Sequence, residues 1–546
     1  MIRCTLFSPL SNHFIVAIAA LTLPIMAAAE ETNSPAVIVN TSAEPVAVGK
    51  FQPTWESLKQ YQVPEWFHDA KFGIWAHWGP QCQPEDGDWY ARNMYFPGNS
   101  QYKFHTNHYG SPLEFGFKDV IHEWHAQNWN PEKLMALYQR AGAQYFFALA
   151  NHHDNFDNWD SKYQPWNSVA VGPKKDLIGG WAAAARKNGM RFGVSVHASH
   201  AWSWYEPSQK FDGKLTKADG AGKWWDGLDP QELYAQNHAP GKKLEWHWNA
   251  SKGSSLPDQA YCDKFYNRTA DLINKYKPDL IYFDDTGLPL WPVSDAGLKI
   301  AAHFYNRNNQ LHGANDDGVL FGKILTPEQQ QCMVWDIERG QANDIEPYPW
   351  QTDTCIGDWH YQRARFEKHS YKSTKTVIQT LCDIVSKNGN LLLNIPVRGD
   401  GTIDDDELKV VQGIGDWMAV NRECIFSTRP WKIFGEGPAS AGAKLTAQGF
   451  NEGKGRPFTA EDVRFTQSKD GKTIYAIVLG GPTNGVSLKS LGKSAKRLAT
   501  SIQKIELLGS KEKLKWTQAD EALAISQPKN LPNNFAIVFI VSLKGK

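Results

Sequence analysis

The sequence predicts an α/β fold: a (β/α)8 TIM-like barrel followed by a smaller C-terminal antiparallel β-sandwich. Three observations carry this. First, short apolar runs keep ending in polar side chains, as in Lys71-Phe-Gly-Ile-Trp-Ala-His-Trp-Gly79, Leu149-Ala-Asn-His-His-Asp-Asn-Phe156 and Pro278-Asp-Leu-Ile-Tyr-Phe-Asp-Asp285. Parallel barrel strands deliver side chains to one shared face in this way. Second, strand-like and helix-like segments alternate from about residue 56 to 430, which calls for a parallel sheet. Third, after Trp431 the pattern turns to short alternating strands separated by turn signals such as Lys469-Asp470-Gly471, with no convincing helix.

Taken in order, the N-terminus reads as a secretory signal over residues 1–29. Arg3 supplies positive charge, residues 14–26 are apolar, and Ala27-Ala28-Ala29 fits a small-residue cleavage site. Residues 30–55 are polar, with Pro, Ser and Ala, and are expected to be a leader or linker. The barrel is expected over 56–432. Its strands read as 72–76, 145–150, 191–196, 280–283, 333–337 and 390–395, with helical patterns at 131–140 and 177–187. The second helix stops at Asn188-Gly189. Residues 205–260 are rich in Lys, Asp and Gly and read as a long loop at the functional face. The sandwich is expected over 433–546, with strands at 463–466, 473–478, 502–508, 514–517 and 534–541.

Composition narrows the function. Lys+Arg and Asp+Glu are both 58, so the chain lacks the net positive charge of a nucleic-acid binder. No segment of the mature chain reads as a membrane span. The 23 tryptophans are the outlier; most serve packing, but a flat indole also stacks on the C–H face of a sugar ring. Of seven cysteines, Cys4 leaves with the signal. The other six, Cys82, Cys262, Cys332, Cys355, Cys382 and Cys424, form no C-x-x-C pair and therefore no zinc motif. Export permits disulfides among them, and buried thiols are the alternative.

The chemistry-bearing residues sit at strand ends. Asp284 and Asp285 follow an apolar run, and side-chain alternation sends only one of them into the barrel mouth. Glu338 ends another run, Cys332-Met-Val-Trp-Asp-Ile-Glu338, and is followed by Arg339. Two carboxylates facing one ligand suit glycoside hydrolysis, which needs a proton donor beside a nucleophile or base. Asp336, Asp344, Glu346 and Asp353 are alternative donors. His152 and His153 are adjacent, so their side chains diverge in an extended segment. That favours hydrogen bonding to sugar hydroxyls over a shared metal, and neither metal nor cofactor is expected. Trp89-Tyr90 offers stacking or core packing.

Phe72-Gly-Ile-Trp-Ala-His-Trp-Gly79 resembles the F-G-[IL]-F-x-H-W-G block of glycoside hydrolase family 29, the α-L-fucosidases. Matching blocks follow in the same order: His152-His-Asp-Asn-Phe156, Ser161-Lys-Tyr163, Trp166-Asn-Ser168, Gly172-Pro-Lys-Lys-Asp-Leu177, Lys275-Tyr-Lys-Pro-Asp-Leu280, Val385-Ser-Lys-Asn-Gly-Asn-Leu-Leu-Leu-Asn-Ile395, and Gly415-Asp-Trp417 through Arg429-Pro-Trp431. The resemblance covers roughly residues 55–435. It implies a retaining exo-enzyme acting on an oligosaccharide or polysaccharide, with Asp284 as nucleophile. It also implies that His77, Trp89, His152 and His153 line the monosaccharide pocket.

Two departures from the family pattern matter. Many relatives carry Trp-Glu, with that Glu as acid/base, where this chain has Trp350-Gln351. An amide cannot donate the proton, so Glu338 becomes the expected acid/base, with Trp350 kept as a substrate-binding candidate. Many relatives carry Tyr-Tyr-Ser where this chain has Ser195-Val196-His197. His197 near C6 of the sugar would accommodate the extra hydroxyl of L-galactose, which makes an α-L-galactosidase the alternative activity. Gln351 also admits a second alternative, a carbohydrate-binding protein that turns over weakly. The oligomeric state is not legible.

Overall fold

The computed structural model describes residues 35–246, 252–313, 316–446 and 450–544. The expected signal over residues 1–29, with Cys4, lies outside them. Eight parallel strands close into a barrel in sequence order: β1 Phe72–Ala76, β2 Tyr145–Asn151, β3 Arg191–Val196, β4 Leu280–Thr286, β5 Val319–Lys323, β6 Val334–Asp336, β7 Trp350–Cys355 and β8 Gly389–Asn394. The strands β5 and β7 are additions to the sequence reading. Helices Pro131–Arg140, Leu177–Lys187, Gln259–Tyr276, Ala296–His312, Thr374–Ser386 and Asp405–Asn421 follow six of the eight strands. Among the described residues β5 is followed only by the short turn Gln329–Gln331, and β6 by no helix.

Alternation along each strand fixes what points inward. Trp75, Tyr145, Phe147, Leu280, Tyr282, Val319, Phe321, Val334 and Leu392 form one buried cluster that fills the barrel. Their neighbours Ile74, Phe146, Ile281, Leu320 and Leu391 belong to the larger core under the helices. Gly73 sits where a Cβ would lie 2.2 Å from the Tyr145 ring, so only glycine fits at that inward position.

The segment expected to be a leader is instead packed down where it is described. Val39 and Phe51 are buried, and Val37 bridges to Ser294. The Asn306 amide donates to the carbonyls of Ala47 (2.7 Å) and Phe51 (2.8 Å), which ties this stretch to the helix Ala296–His312. Its polar composition concealed the buried apolar anchors Val39 and Phe51.

The C-terminal part has two antiparallel sheets. One is five-stranded, ordered β13-β16-β11-β10-β9: β9 Thr428–Glu436, β10 Val463–Ser468, β11 Thr473–Val478, β13 Ile502–Leu507 and β16 Ile537–Leu543. The other is three-stranded, ordered β12-β15-β14: β12 Val486–Leu488, β14 Trp516–Gln518 and β15 Leu523–Ile525. A separate core, including Phe465, Val478, Leu488, Ile525 and Phe539, lies between them. A boundary at 432/433 runs through β9, whose pairing with β10 already begins at Thr428.

The sandwich docks on the barrel helices. Trp417 Nε1 donates to Ala536 O (2.9 Å) and Gln379 Nε2 to Leu479 O (2.7 Å). Asp383, fully buried, is met by Arg464 Nε (2.6 Å) and Lys387 Nζ (2.7 Å), so its buried charge is paired. All six cysteines among the described residues are buried, unpaired thiols. No helix among these residues is long and apolar enough to cross a membrane.

Candidate active site

The inward series does not stop where the strands end. Counting on by twos leads from Trp75 to His77, from Ser195 to His197, from Tyr282 to Asp284, from Phe321 to Lys323, and from Asp336 to Glu338. These side chains meet at the carboxyl ends of the strands, the functional face of a parallel barrel. There they border a cavity of about 800 Å³.

Asp284 is its electrostatic centre. Its Oδ2 lies 3.2 Å from His153 Nε2 and 3.2 Å from His197 Nδ1, and its Oδ1 pairs with Lys323 Nζ. The same ammonium pairs with Glu338 Oε2, so one cation bridges the two candidate catalytic carboxylates. Burial works against charge on Asp284. Lys323 and the two histidines outweigh it and hold the carboxyl well below the usual range. Burial likewise opposes charge on Lys323, and the facing carboxylates reverse that and hold its pKa well up. The Asp285 carboxylate is taken up by Ser199 Oγ (2.9 Å) and His200 Nε2 (2.9 Å).

The histidines form a neutral cage. Burial lowers the pKa of His77, His152 and His197, and takes His153 to about 4. A neutral imidazole has one N–H, so its partners set its role. Gln81 Nε2 donates to His152 Nδ1 (2.8 Å), which leaves the Nε2–H of His152 as a donor. His197 uses its Nδ1–H on Asp284, and its buried Nε2 has no protein partner, so it accepts. Neither ring nitrogen of His77 has a protein partner either. Mixed donors and acceptors inside an apolar wall suit a ligand bearing several hydroxyls.

The loop that carries His152 and His153 is braced from below. Arg268 lies against Asp157, and Asn151 Nδ2 donates to Asp157 Oδ1 (2.9 Å) while Asn151 Oδ1 accepts from the backbone of Ala198 (3.1 Å). Trp89 lines the cavity in a left-handed conformation (φ 63°), with its ring 5.5 Å from Trp246 and 5.9 Å from Trp204. A bulky residue held there is strained, a cost that packing on both sides offsets.

Under Lys323 and Glu338 lies a second pair of acids, Asp336 and Asp353. Tyr282 OH donates to Asp353 Oδ2 (3.0 Å), and Gln351 Nε2 donates to Asp336 Oδ2 (2.7 Å). Burial, with the Glu338 charge nearby, raises Asp336 to about 7, and burial with the charges of Asp336 and Glu338 raises Asp353 well above its ordinary value. The pair therefore keeps a proton near neutral pH. Of the other alternative donors, Asp344 and Glu346 do not line the cavity. Glu346 is bonded to Lys387 and Asn388, just before the start of β8 and so at the far end of the barrel.

Asp284, Glu338, His77, Trp89, His152 and His197 border the cavity, and His153 stands behind Asp284. Trp350 is the correction. It is the first residue of β7 and has outward parity, so it packs in the core under the helices, with Nε1 donating to Lys387 O (2.9 Å). Its neighbour Gln351 points inward, but to Asp336 and Tyr145 rather than to the cavity. Sequence reading missed Lys323, although Val319-Leu-Phe-Gly-Lys323 has the same form as the other runs. It also missed Trp246, Trp359 and Phe450, which lie on loops without periodic signal.

Two groups could present three ligand atoms to a metal: His77, His152 and His197, and His153, His197 and Asp284. In the first, Gln81 turns an N–H of His152, not a lone pair, toward the centre. In the second, the hydrogen bonds to Asp284 already occupy the facing atoms. A third group, Asp279, His312 and Asp317, is already served by Arg191, whose NH1 lies 2.9 Å from Asp279 and 2.6 Å from Asp317.

Paired carboxylates at the mouth of a parallel barrel, within a cage of hydrogen-bonding histidines and stacking tryptophans, define a glycoside hydrolase. The family model "Alpha-L-fucosidase" matches residues 38–423, and "Alpha-L-fucosidase C-terminal domain" matches 456–544. The chain belongs to the α-L-fucosidase family. It is 28% identical over 510 residues to the tissue α-L-fucosidase of Homo sapiens, covering 91% of each chain. Identity to the α-L-fucosidase of Branchiostoma floridae is 24% over 520 residues, covering 91% of this chain and 96% of the relative. Among solved structures, the α-L-fucosynthase of Thermotoga maritima superposes with a TM-score of 0.67 at 24% identity, over 90% of this chain and 99% of that one. The α-L-fucosidase isoenzyme 1 of Paenibacillus thiaminolyticus gives 0.58 at 20% identity, over 90% and 100%. These two structures share the fold.

Proposed function

We propose that the chain is an exported retaining exo-α-L-fucosidase that releases terminal L-fucose by double displacement. Asp284 attacks the anomeric carbon and forms a glycosyl ester. Glu338 protonates the departing oxygen, then takes a proton from the water that opens the ester. The carrying observation is the Lys323 bridge, which keeps the two carboxylates on one ligand-sized cavity. Asp284 enters the first step ionised, with Lys323 as counterion. His153 and His197 aim the nucleophile. The contact of His197 with Asp284 ties it to the reacting centre and gives no support to a separate C6-reading role. Export rests on the signal-like residues 1–29, and a mature N-terminus other than Glu30 would sink that part.

The experiment that tests the roles is Glu338→Ala assayed against two leaving groups. Turnover of a fucosyl disaccharide should fall by roughly 10²–10⁴-fold, while a dinitrophenyl fucoside, whose leaving group needs no proton, should lose far less. Equal losses on both substrates, or wild-type activity on the disaccharide, would move the proton donor elsewhere. Asp353 is then next in line, since it holds a proton and borders the cavity.

A further inference from the structure

The flank of the barrel without helices is where the sandwich reaches the mouth. The chain between β9 and β10 crosses to the loop that follows Glu338 and is fastened there residue by residue. Leu445 N donates to Asn343 Oδ1 (2.7 Å), and Asn343 Nδ2 donates back to Leu445 O (2.9 Å). Gln341 N donates to Asn451 Oδ1 (2.9 Å), and Asn451 Nδ2 donates to Gln341 O (3.1 Å). Glu452 N donates to Arg339 O (2.8 Å). The Glu452 carboxylate takes Thr354 Oγ1 (2.9 Å) and Lys372 Nζ on one oxygen, and lies 3.5 Å from Arg339 Nε with the other.

Within this clamp the usual order of burial is reversed. Polar Asn451 is 1% exposed, whereas Phe450 beside it is 57% exposed and borders the cavity. A phenyl ring left in water beside a fixed polar anchor forgoes its hydrophobic stabilisation unless a ligand covers it. Across the mouth, Trp246 rises from the β3–β4 insertion, 4.9 Å from His200 and 5.9 Å from His153. The β3–β4 insertion and the loop after β6 leave the eight-stranded barrel three strand positions apart. Both rings border the same cavity as Asp284 and Glu338. A cavity of about 800 Å³ has the size that holds a drug-sized ligand, which exceeds one monosaccharide.

We propose that Phe450, supplied by the C-terminal domain, is the stacking wall of a leaving-group subsite that binds the sugar ring to which the terminal residue is attached. This deepens the function proposed above and rests on it. A pyranose ring presents an apolar C–H face that an exposed phenyl covers well. The clamp holds that phenyl in register with Glu338, the residue that must protonate the oxygen between the two rings.

The test compares kcat/KM for an α-L-fucosyl disaccharide with that for α-L-fucosyl fluoride, whose leaving group has no ring to stack. In Phe450→Ala the disaccharide-to-fluoride ratio should fall roughly tenfold, and Phe450→Trp should restore it. Phe450 is exposed, so neither change disturbs the core. An unaltered ratio in Phe450→Ala overturns the subsite and leaves the fucosidase reading intact. Failure of the wild-type protein to turn over either fucoside overturns both.

Discussion

Replacing Asp284 by alanine should abolish turnover of α-L-fucosides, by on the order of 10⁴-fold or more, because the proposed covalent mechanism has no substitute for its nucleophile. The vacated space sits beside Lys323, His153 and His197, all of which donate or carry positive charge toward the missing carboxylate. Azide should enter that space, since a small anion satisfies the same donors. Attack by azide from the nucleophile's face inverts the centre once, so the product should be the β-fucosyl azide. The check is product analysis by NMR with an activated aryl fucoside. Activity within tenfold of wild type in Asp284→Ala would remove it from the mechanism.

Lys323→Met should have the second largest effect, a fall in kcat/KM of roughly 10²-fold with a changed pH profile. Burial alone would raise Asp284; Lys323 is the foremost of the groups that lower it. As the proposed nucleophile Asp284 acts as the anion, so in the wild type the acid limb of kcat/KM should lie below the ordinary carboxylate range. Loss of the ammonium leaves burial less opposed, and the acid limb moves to higher pH. Lys323→Arg keeps the charge and should return most of the limb toward its original position. A limb that does not move in Lys323→Met would mean that the histidines alone hold the nucleophile ionised.

The barrel was legible in the sequence chiefly where runs of mostly apolar residues end in chemistry-bearing side chains. β1 and β3 read with their observed limits, because Phe72–Ala76 and Arg191–Val196 are continuous runs ended by chemistry. β7 did not read, because Trp350–Cys355 puts Gln351 and Asp353 inward and Thr352 and Thr354 outward, so neither face is apolar. Buried polar residues break the hydrophobic pattern on which strand recognition depends. Lys323 was passed over for a related reason. A lysine after an apolar run ordinarily marks the return to solvent, whereas here two carboxylates retain it. Trp350 was misplaced because a motif gives adjacency in the chain, while the pleat sends adjacent side chains to opposite faces. Phe450 lies more than a hundred residues beyond Glu338 in a stretch without periodicity, and only the folded chain brings the two together.

The six unpaired thiols make unfolding of this protein a one-way event in an oxidising medium. While the chain is folded, burial pushes Cys82, Cys262, Cys332 and Cys355 up to about 12, and Cys382 and Cys424 higher still. The reactive thiolate is then almost absent, and packing shields the sulfur. Once the chain opens, all six return together to the ordinary thiol range, with no native pairing to guide them. Six thiols can pair in 15 ways, and every one of those ways differs from the native state. Endurance outside a reducing compartment is therefore set by the rate of the first opening, not by the free energy of the folded state.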